Sequence, residues 1–179
     1  MKNLLVLTDF LNICIMNYQL YLVNSDYTNY LRKYDYRVEL KNDRPYLGIV
    51  FKFNGYNYFA PLTSEKETNY LRNKIYKSIV IDIGKLKNKP QQLGFVRINN
   101  MIPVPHKCLT KIKISLNNSC PDYNYLLLNQ YFIFTSEKFC KEVNIKTQRV
   151  YKISSNKKHY LNKYVCDFKL LEDKCDKWL

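Results

Sequence analysis

The spacing of apolar and polar positions changes several times along the chain, and each change marks an element. Tyr18 to Val23 alternates and predicts a short strand. Ser25-Asp26 then caps a short helix with Tyr27, Tyr30, Leu31 and Tyr34 at three- and four-residue spacing. The clearest local signal is Tyr46 to Leu62, where YLGIVFKF and YNYFAPL flank Asn54-Gly55. Asn-Gly supplies the two positive φ angles of a type I′ turn, so this segment predicts a β-hairpin. Its second strand is expected to end at Pro61 and open into a polar loop, Thr63-Ser64-Glu65-Lys66.

Further on, Ser78–Ile83, Leu93–Ile98 and Lys111–Leu116 predict strands, with Asn99-Asn100 and the proline-punctuated MIPVP between the last two. Pro121 stands where a helix begins, and the pattern is helical from Tyr123 to about Val143. A second, basic helix is expected from about Asn144 to Lys163, and Val165–Leu171 reads as a short strand or extended segment. Hairpin-linked strands followed by helices point to the α+β class, with a twisted antiparallel sheet flanked by helices. No linker or repeat divides the chain, so one domain is expected over residues 16–179.

Residues 1–15 stand apart. Lys2 followed by an apolar run imitates a signal peptide, but Asp9 and Asn12 interrupt it and no small-residue cleavage site follows. The run is too short to span a bilayer, so no membrane partner is expected. The segment is either a genuine extension or an upstream misreading ahead of a true start at Met16.

Charge adds a partner class. With 29 basic and 15 acidic residues the formal charge is +14, which favours polyanions. Lys66 to Lys89 holds seven basic residues against two acidic, and Lys138 to Lys163 holds eight against one. An AT-rich genome also enriches Lys, Asn and Tyr, and Ala60 is the only alanine. Charge alone therefore leaves nucleic-acid binding and codon bias evenly weighed. The six cysteines show no C-x-x-C and no zinc spacing with His106 or His159, so they read as free thiols in a reducing cytoplasm.

No phosphate-binding loop, dinucleotide fingerprint, HExxH or GxSxG is present. No carboxylate cluster suggests a two-metal nuclease. Hydroxyls, lysines, arginines and tyrosines remain. They suit RNA cleavage, because RNA carries its own nucleophile in the 2′-OH beside each phosphate. Such a reaction needs in-line alignment and positive charge on the crowded phosphorane, and no metal if Lys and Arg supply that charge. Thr63-Ser64-Glu65-Lys66 leaves a rigid hairpin and is the best-placed loop for this work. Taken alone, however, Thr-Ser after a strand first reads as a helix cap and Lys66 as a solvated charge. Tyr27 could stack on a nucleotide or fill the core, and Arg44 could hold a phosphate or lie on the surface. His106 reads as a general acid–base group or as an exposed loop residue.

The residues in combination resemble a known family. Asp26-Tyr27, Tyr30-Leu31-Arg32 and Asp35 lead into Arg44-Pro45-Tyr46-Leu47-Gly48-Ile49-Val50. Tyr58-Phe59-Ala60-Pro61-Leu62-Thr63-Ser64 and Asn99-Asn100-Met101-Ile102-Pro103-Val104-Pro105 follow in order, and Cys166–Glu172 closes the match. This series resembles the ToxN/AbiQ endoribonucleases from about Met16 to the end. The resemblance implies a sheet core like that of the MazF/Kid toxins, a partly open barrel. It implies a type III toxin–antitoxin enzyme that cleaves single-stranded RNA to a 2′,3′-cyclic phosphate and needs no cofactor. It also implies inhibition by a repetitive, pseudoknotted antitoxin RNA, in a closed RNA-bridged ring with the toxin monomeric otherwise, and a role in abortive phage defence. The implied catalytic residues are Thr63, Ser64 and Lys66, with Tyr27 positioning the nucleotide and Arg44 neutralising the phosphate. Arg44 stands where some relatives carry Lys, and Glu65 where some carry Pro. The competing reading is a non-catalytic basic RNA-binding protein.

Overall fold

A computed structural model describes residues 18–40, 43–63, 74–85, 92–113 and 121–178. The expectations for residues 1–15, Ser64 and Lys66 lie outside these; of the strand predicted at Lys111–Leu116 only Lys111 is in a strand, which runs Leu109–Lys111, and residues 114–116 lie outside the described residues.

Seven strands make an antiparallel sheet: β1 (Gln19–Val23), β2 (Tyr46–Phe53), β3 (Tyr56–Thr63), β4 (Ile81–Asp82), β5 (Phe95–Val96), β6 (Ile102–Pro103) and β7 (Leu109–Lys111). Their order is β4-β5-β3-β2-β1-β7, with β6 also on β3. The β2–β3 hairpin is its axis. Asn54 and Gly55 turn it with φ of 48° and 84°, the two left-handed angles expected of Asn-Gly. β3 runs two residues past the expected end at Pro61. Leu62 and Thr63 find a new partner there, pairing with Val96 and Phe95 of β5. The other end of β3 pairs with β6, Tyr58 opposite Pro103 and Phe59 opposite Ile102, so the MIPVP segment contributes a strand.

The helices cover the sheet. They are α1 (Ser25–Arg32), α2 (Lys74–Lys77), α3 (Pro121–Phe134), α4 (Glu137–Ser155) and α5 (Phe168–Asp176). The cap of α1 is Asn24, one residue before the expected Ser25; its side chain accepts from the Asp26 and Tyr27 N–H groups. The two helices expected to meet near Val143 meet instead just after Phe134, and the second, expected to reach Lys163, ends at Ser155. Ser136 ends the first and caps the second by accepting from Phe139 N–H. Of the strand or extended segment expected at Val165–Leu171, Val165–Asp167 is non-helical with Val165 extended, but α5 begins at Phe168. Asp167 accepts from Leu170 N–H, and Phe168 and Leu171 bury at helical spacing.

The core lies where α4 packs on β2 and α5 packs on β6 and α1. Glu172 of α5 is its polar knot, accepting hydroxyl hydrogen bonds from Tyr58 of β3 (2.5 Å) and Tyr151 of α4 (2.8 Å). A buried carboxylate is tolerated only with such partners. Residues 162–167 are stitched back across the fold. Arg37 donates to Asn162 O, Asn99 Nδ2 donates to Tyr164 O, and Asp167 N–H donates to Asp35. Cys108, Cys140 and Cys166 are buried free thiols, and Cys175 is a half-buried one. No helix among the described residues is long and apolar enough to cross a membrane.

Candidate active site

The outgoing end of β3 is where the expected residues begin to converge. Arg44 precedes β2, and the hairpin register puts it beside the last residues of β3: Leu62 N–H donates to Pro45 O, and Arg44 Nη1 donates to Leu62 O at 2.8 Å. The Arg44 side chain is only 7% exposed, so its charge is held in place rather than swinging in solvent. Glu39 Oε2 lies 3.6 Å from Arg44 Nη1 and 2.8 Å from Arg97 Nη1. Two guanidinium groups thus gather on one carboxylate at the strand end. Guanidinium groups fixed and partly dehydrated in this way suit a phosphate.

Thr63 is the last strand residue and is buried. Gly94 makes room for it. A Cβ on Gly94 would sit 2.3 Å from Thr63 O, and the residue's φ of +104° is one that side chains disfavour. Gln130 of α3 braces the same spot by donating to Leu93 O, and its Oε1 has no hydrogen-bond partner. Nothing in the local sequence marks Gly94, Glu39, Arg97 or Gln130 as neighbours of Thr63, because strand pairing and helix docking bring them together. Ser64 and Lys66 follow Thr63 in the chain but lie outside the described residues.

Tyr27 does not join this group. Its side chain has no exposed surface, its hydroxyl donates to Pro103 O at 2.5 Å, and its ring packs edge-on against Trp178. Pro103 pairs with Tyr58, five residues before Thr63 on β3, a separation of roughly 17 Å along a strand. Burial first, and then contact with the Cys175 thiol, push the Tyr27 phenol far above its ordinary range. It therefore stays a donor and pins β6 to α1. The expected direct contact with a nucleotide does not fit a ring with no accessible face.

Other titratable groups are equally bound to structure. Tyr46, at the start of β2, is pushed well above its usual range by burial and then by Glu39, which disfavours it as a proton acceptor. His106 is exposed on a turn after β6, toward the hairpin turn and away from Thr63. No group of three or more His, Cys, Asp or Glu among the described residues is placed to hold a metal ion.

Beside Glu39 and Arg97 a polar groove of about 270 Å³ opens, with Tyr36, Arg37, Asn99, Asn100 and Lys163 in its walls. It adjoins the strand end through Glu39, shared with Arg44, and through Arg97 N–H, which donates to Pro61 O.

Comparison with known proteins places this arrangement. The family model described as "Toxin ToxN, type III toxin-antitoxin system" matches residues 19–176. An endoribonuclease ToxN of Bacillus thuringiensis subsp. kurstaki is 33% identical over 173 residues, covering 90% of this chain and 84% of that protein. Two solved structures superpose closely. One is a toxin of a bacterial type III system selectively inhibited by a non-coding RNA pseudoknot, with a TM-score of 0.77, 31% identity, and 90% and 97% of the two chains covered. The other is AbiQ, a lactococcal anti-phage endoribonuclease, with a TM-score of 0.78, 28% identity and the same coverage.

Proposed function

This chain belongs to the ToxN family of type III toxin–antitoxin toxins, and from that premise we propose that it is an endoribonuclease toxin cleaving single-stranded RNA without a metal ion. The 2′-OH beside the target phosphate attacks in line, the bond from phosphorus to the 5′ oxygen breaks, and the products carry a 2′,3′-cyclic phosphate and a 5′-hydroxyl. Thr63 and Ser64 orient the phosphate through their hydroxyls. Arg44 neutralises it, and Lys66 holds it or protonates the departing 5′ oxygen. Tyr27 acts from behind, by fixing β6 to α1. DNA lacks the attacking hydroxyl and is not a substrate.

The observation that supports this most directly is the buried Arg44 guanidinium bonded to the carbonyl just before Thr63. A cation anchored at the exit of a rigid hairpin gives the following loop a fixed electrostatic target. The same premise supplies the partner: a repetitive antitoxin RNA folded as a pseudoknot, with toxin and RNA units alternating in a closed ring, in the cytoplasm, for abortive phage defence. A solved relative is inhibited by an RNA pseudoknot, and the +14 charge of this chain suits such a ligand.

Lys66→Ala tests the assignment. Cleavage of single-stranded RNA should fall at least about a hundredfold, the scale of losing one electrostatic catalyst. Affinity for the antitoxin RNA should change little, since one cation among many phosphate contacts carries a small share. Wild-type protein that binds RNA and never cuts it would favour the non-catalytic reading.

A further inference from the structure

The groove beside Glu39 and Arg97 is more than a gap between surface side chains. Its walls come from three distant segments. Asn99 Nδ2 donates to Tyr164 O at 2.8 Å, and Asn100 Nδ2 donates to Arg37 O, so each amide holds a wall residue in place. Each amide oxygen is then the atom left over. Both Asn99 Oδ1 and Asn100 Oδ1 are shut off from solvent without a hydrogen-bond partner, on residues only 3% exposed. Buried acceptors without donors are rare in folded proteins, and two adjacent ones in the wall of one groove call for a ligand that donates.

The other walls say what else that ligand carries. Tyr36 is 73% exposed, with the Arg37 guanidinium 5.7 Å from its ring centroid. Lys163 Nζ lies 5.0 Å from the Tyr164 ring centroid and has no carboxylate partner among the described residues. Aromatic faces interleaved with cations are the surface that single-stranded nucleic acid uses, with bases on the rings and phosphates on the charges. The volume, about 270 Å³, falls below the roughly 300–1,000 Å³ of sites for drug-sized ligands, which suits one base and not a large cofactor.

We propose that this groove is a subsite for one nucleotide of the RNA strand flanking the cleaved bond, and that it selects a base carrying an exocyclic amine. This rests on the nuclease reading for its place beside the scissile phosphate. An amine of cytosine, adenine or guanine brings two N–H donors to the two amide oxygens. Uracil offers one N–H flanked by carbonyl oxygens, which would face Asn99 and Asn100 with like charge. The ring stacks on tyrosine and its phosphate meets Lys163. The two amide oxygens lie just beneath the groove surface, so the groove wall opens as the amine seats against them.

The test uses the full-length protein and 2′-fluoro hexanucleotides of C, A or U, which lack the attacking hydroxyl and cannot be cut. Binding is read by fluorescence anisotropy at one fixed salt concentration. Wild type should hold the C and A hexamers roughly three- to tenfold more tightly than U, the scale of one or two net hydrogen bonds. The double variant Tyr36→Ala/Lys163→Ala should lose about tenfold in affinity for the C and A hexamers and lose the preference over U. Both side chains are exposed, and an unchanged thermal melt checks the fold. Lys66→Ala should keep the preference. Equal affinity for all three hexamers, or a double variant that binds as wild type does, overturns the proposal. Because no arm requires cleavage, a protein that shows this preference but never cuts RNA would sink only the nuclease reading.

Discussion

Two glycines of similar backbone angle separate local strain from strain at the site. Gly55 has a φ of +84° and open space where a side chain would go. Gly94 has a φ of +104°, and an added Cβ would press on Thr63 O at 2.3 Å. Gly55→Ala should therefore cost about 1 kcal/mol, the usual penalty for a side chain in the left-handed region, and leave cleavage unchanged. Gly94→Ala should cost roughly 1–3 kcal/mol and also displace Thr63, lowering cleavage at least about tenfold. Urea melts and a cleavage assay on the two variants check the contrast. Equal activity would mean that the position of Thr63 does not matter to catalysis. Of these two residues only Gly55 declares itself in the sequence, because its turn is local. The meaning of Gly94 depends on β5 pairing with the end of β3, more than thirty residues away.

At the scale of elements, Asp35 ties α1 to α5. Its carboxylate accepts from Arg37 Nε (2.7 Å) and Nη2 (2.8 Å), from Arg37 N–H and from Asp167 N–H. Burial raises its pKa, but the bonds from Arg37 and the two backbone N–H groups outweigh burial and hold it below the usual carboxylate range. A carboxyl depressed in the folded state adds stability above its unfolded pKa of about 3.9 and loses it as pH falls through that value toward the folded one. Wild type should thus lose stability steeply below about pH 4. Asp35→Asn should be destabilised by roughly 3–5 kcal/mol at pH 7, the cost of breaking a buried pair, and show a flatter acid limb. Thermal melts from pH 7 to 2 would measure both. Identical acid limbs would remove Asp35 from the account. Element reading succeeded where the signal was short-range, as in β1, the Asn-Gly hairpin and the helix opening at Pro121. It failed where a cap decided the matter. Ser136 moves the boundary between the two helices back from Val143, and Asp167 starts a helix within VCDFKLL at Phe168. Apolar runs of that length do not distinguish strand from helix without such a cap.

For the whole molecule, the hairpin is the frame on which the proposed RNA chemistry is assembled. Its outgoing end carries Thr63, its incoming end is flanked by Arg44, and the groove of Asn99, Asn100 and Lys163 opens alongside. The groove had no signature in the sequence, since residues 36–39, 97–100 and 163–164 meet only in the folded chain. Burial of Tyr27 was equally hidden, because helical spacing names a face without saying what covers it. The most direct measurement of the central claim is the chemistry of the product ends, read on single-stranded RNA cut in excess EDTA. The account predicts undiminished cleavage that leaves 2′,3′-cyclic phosphate and 5′-hydroxyl ends. Cleavage lost on chelation would show that a metal ion is required, and 5′-phosphate ends would show that the 2′-OH is not the nucleophile; either result would contradict the account.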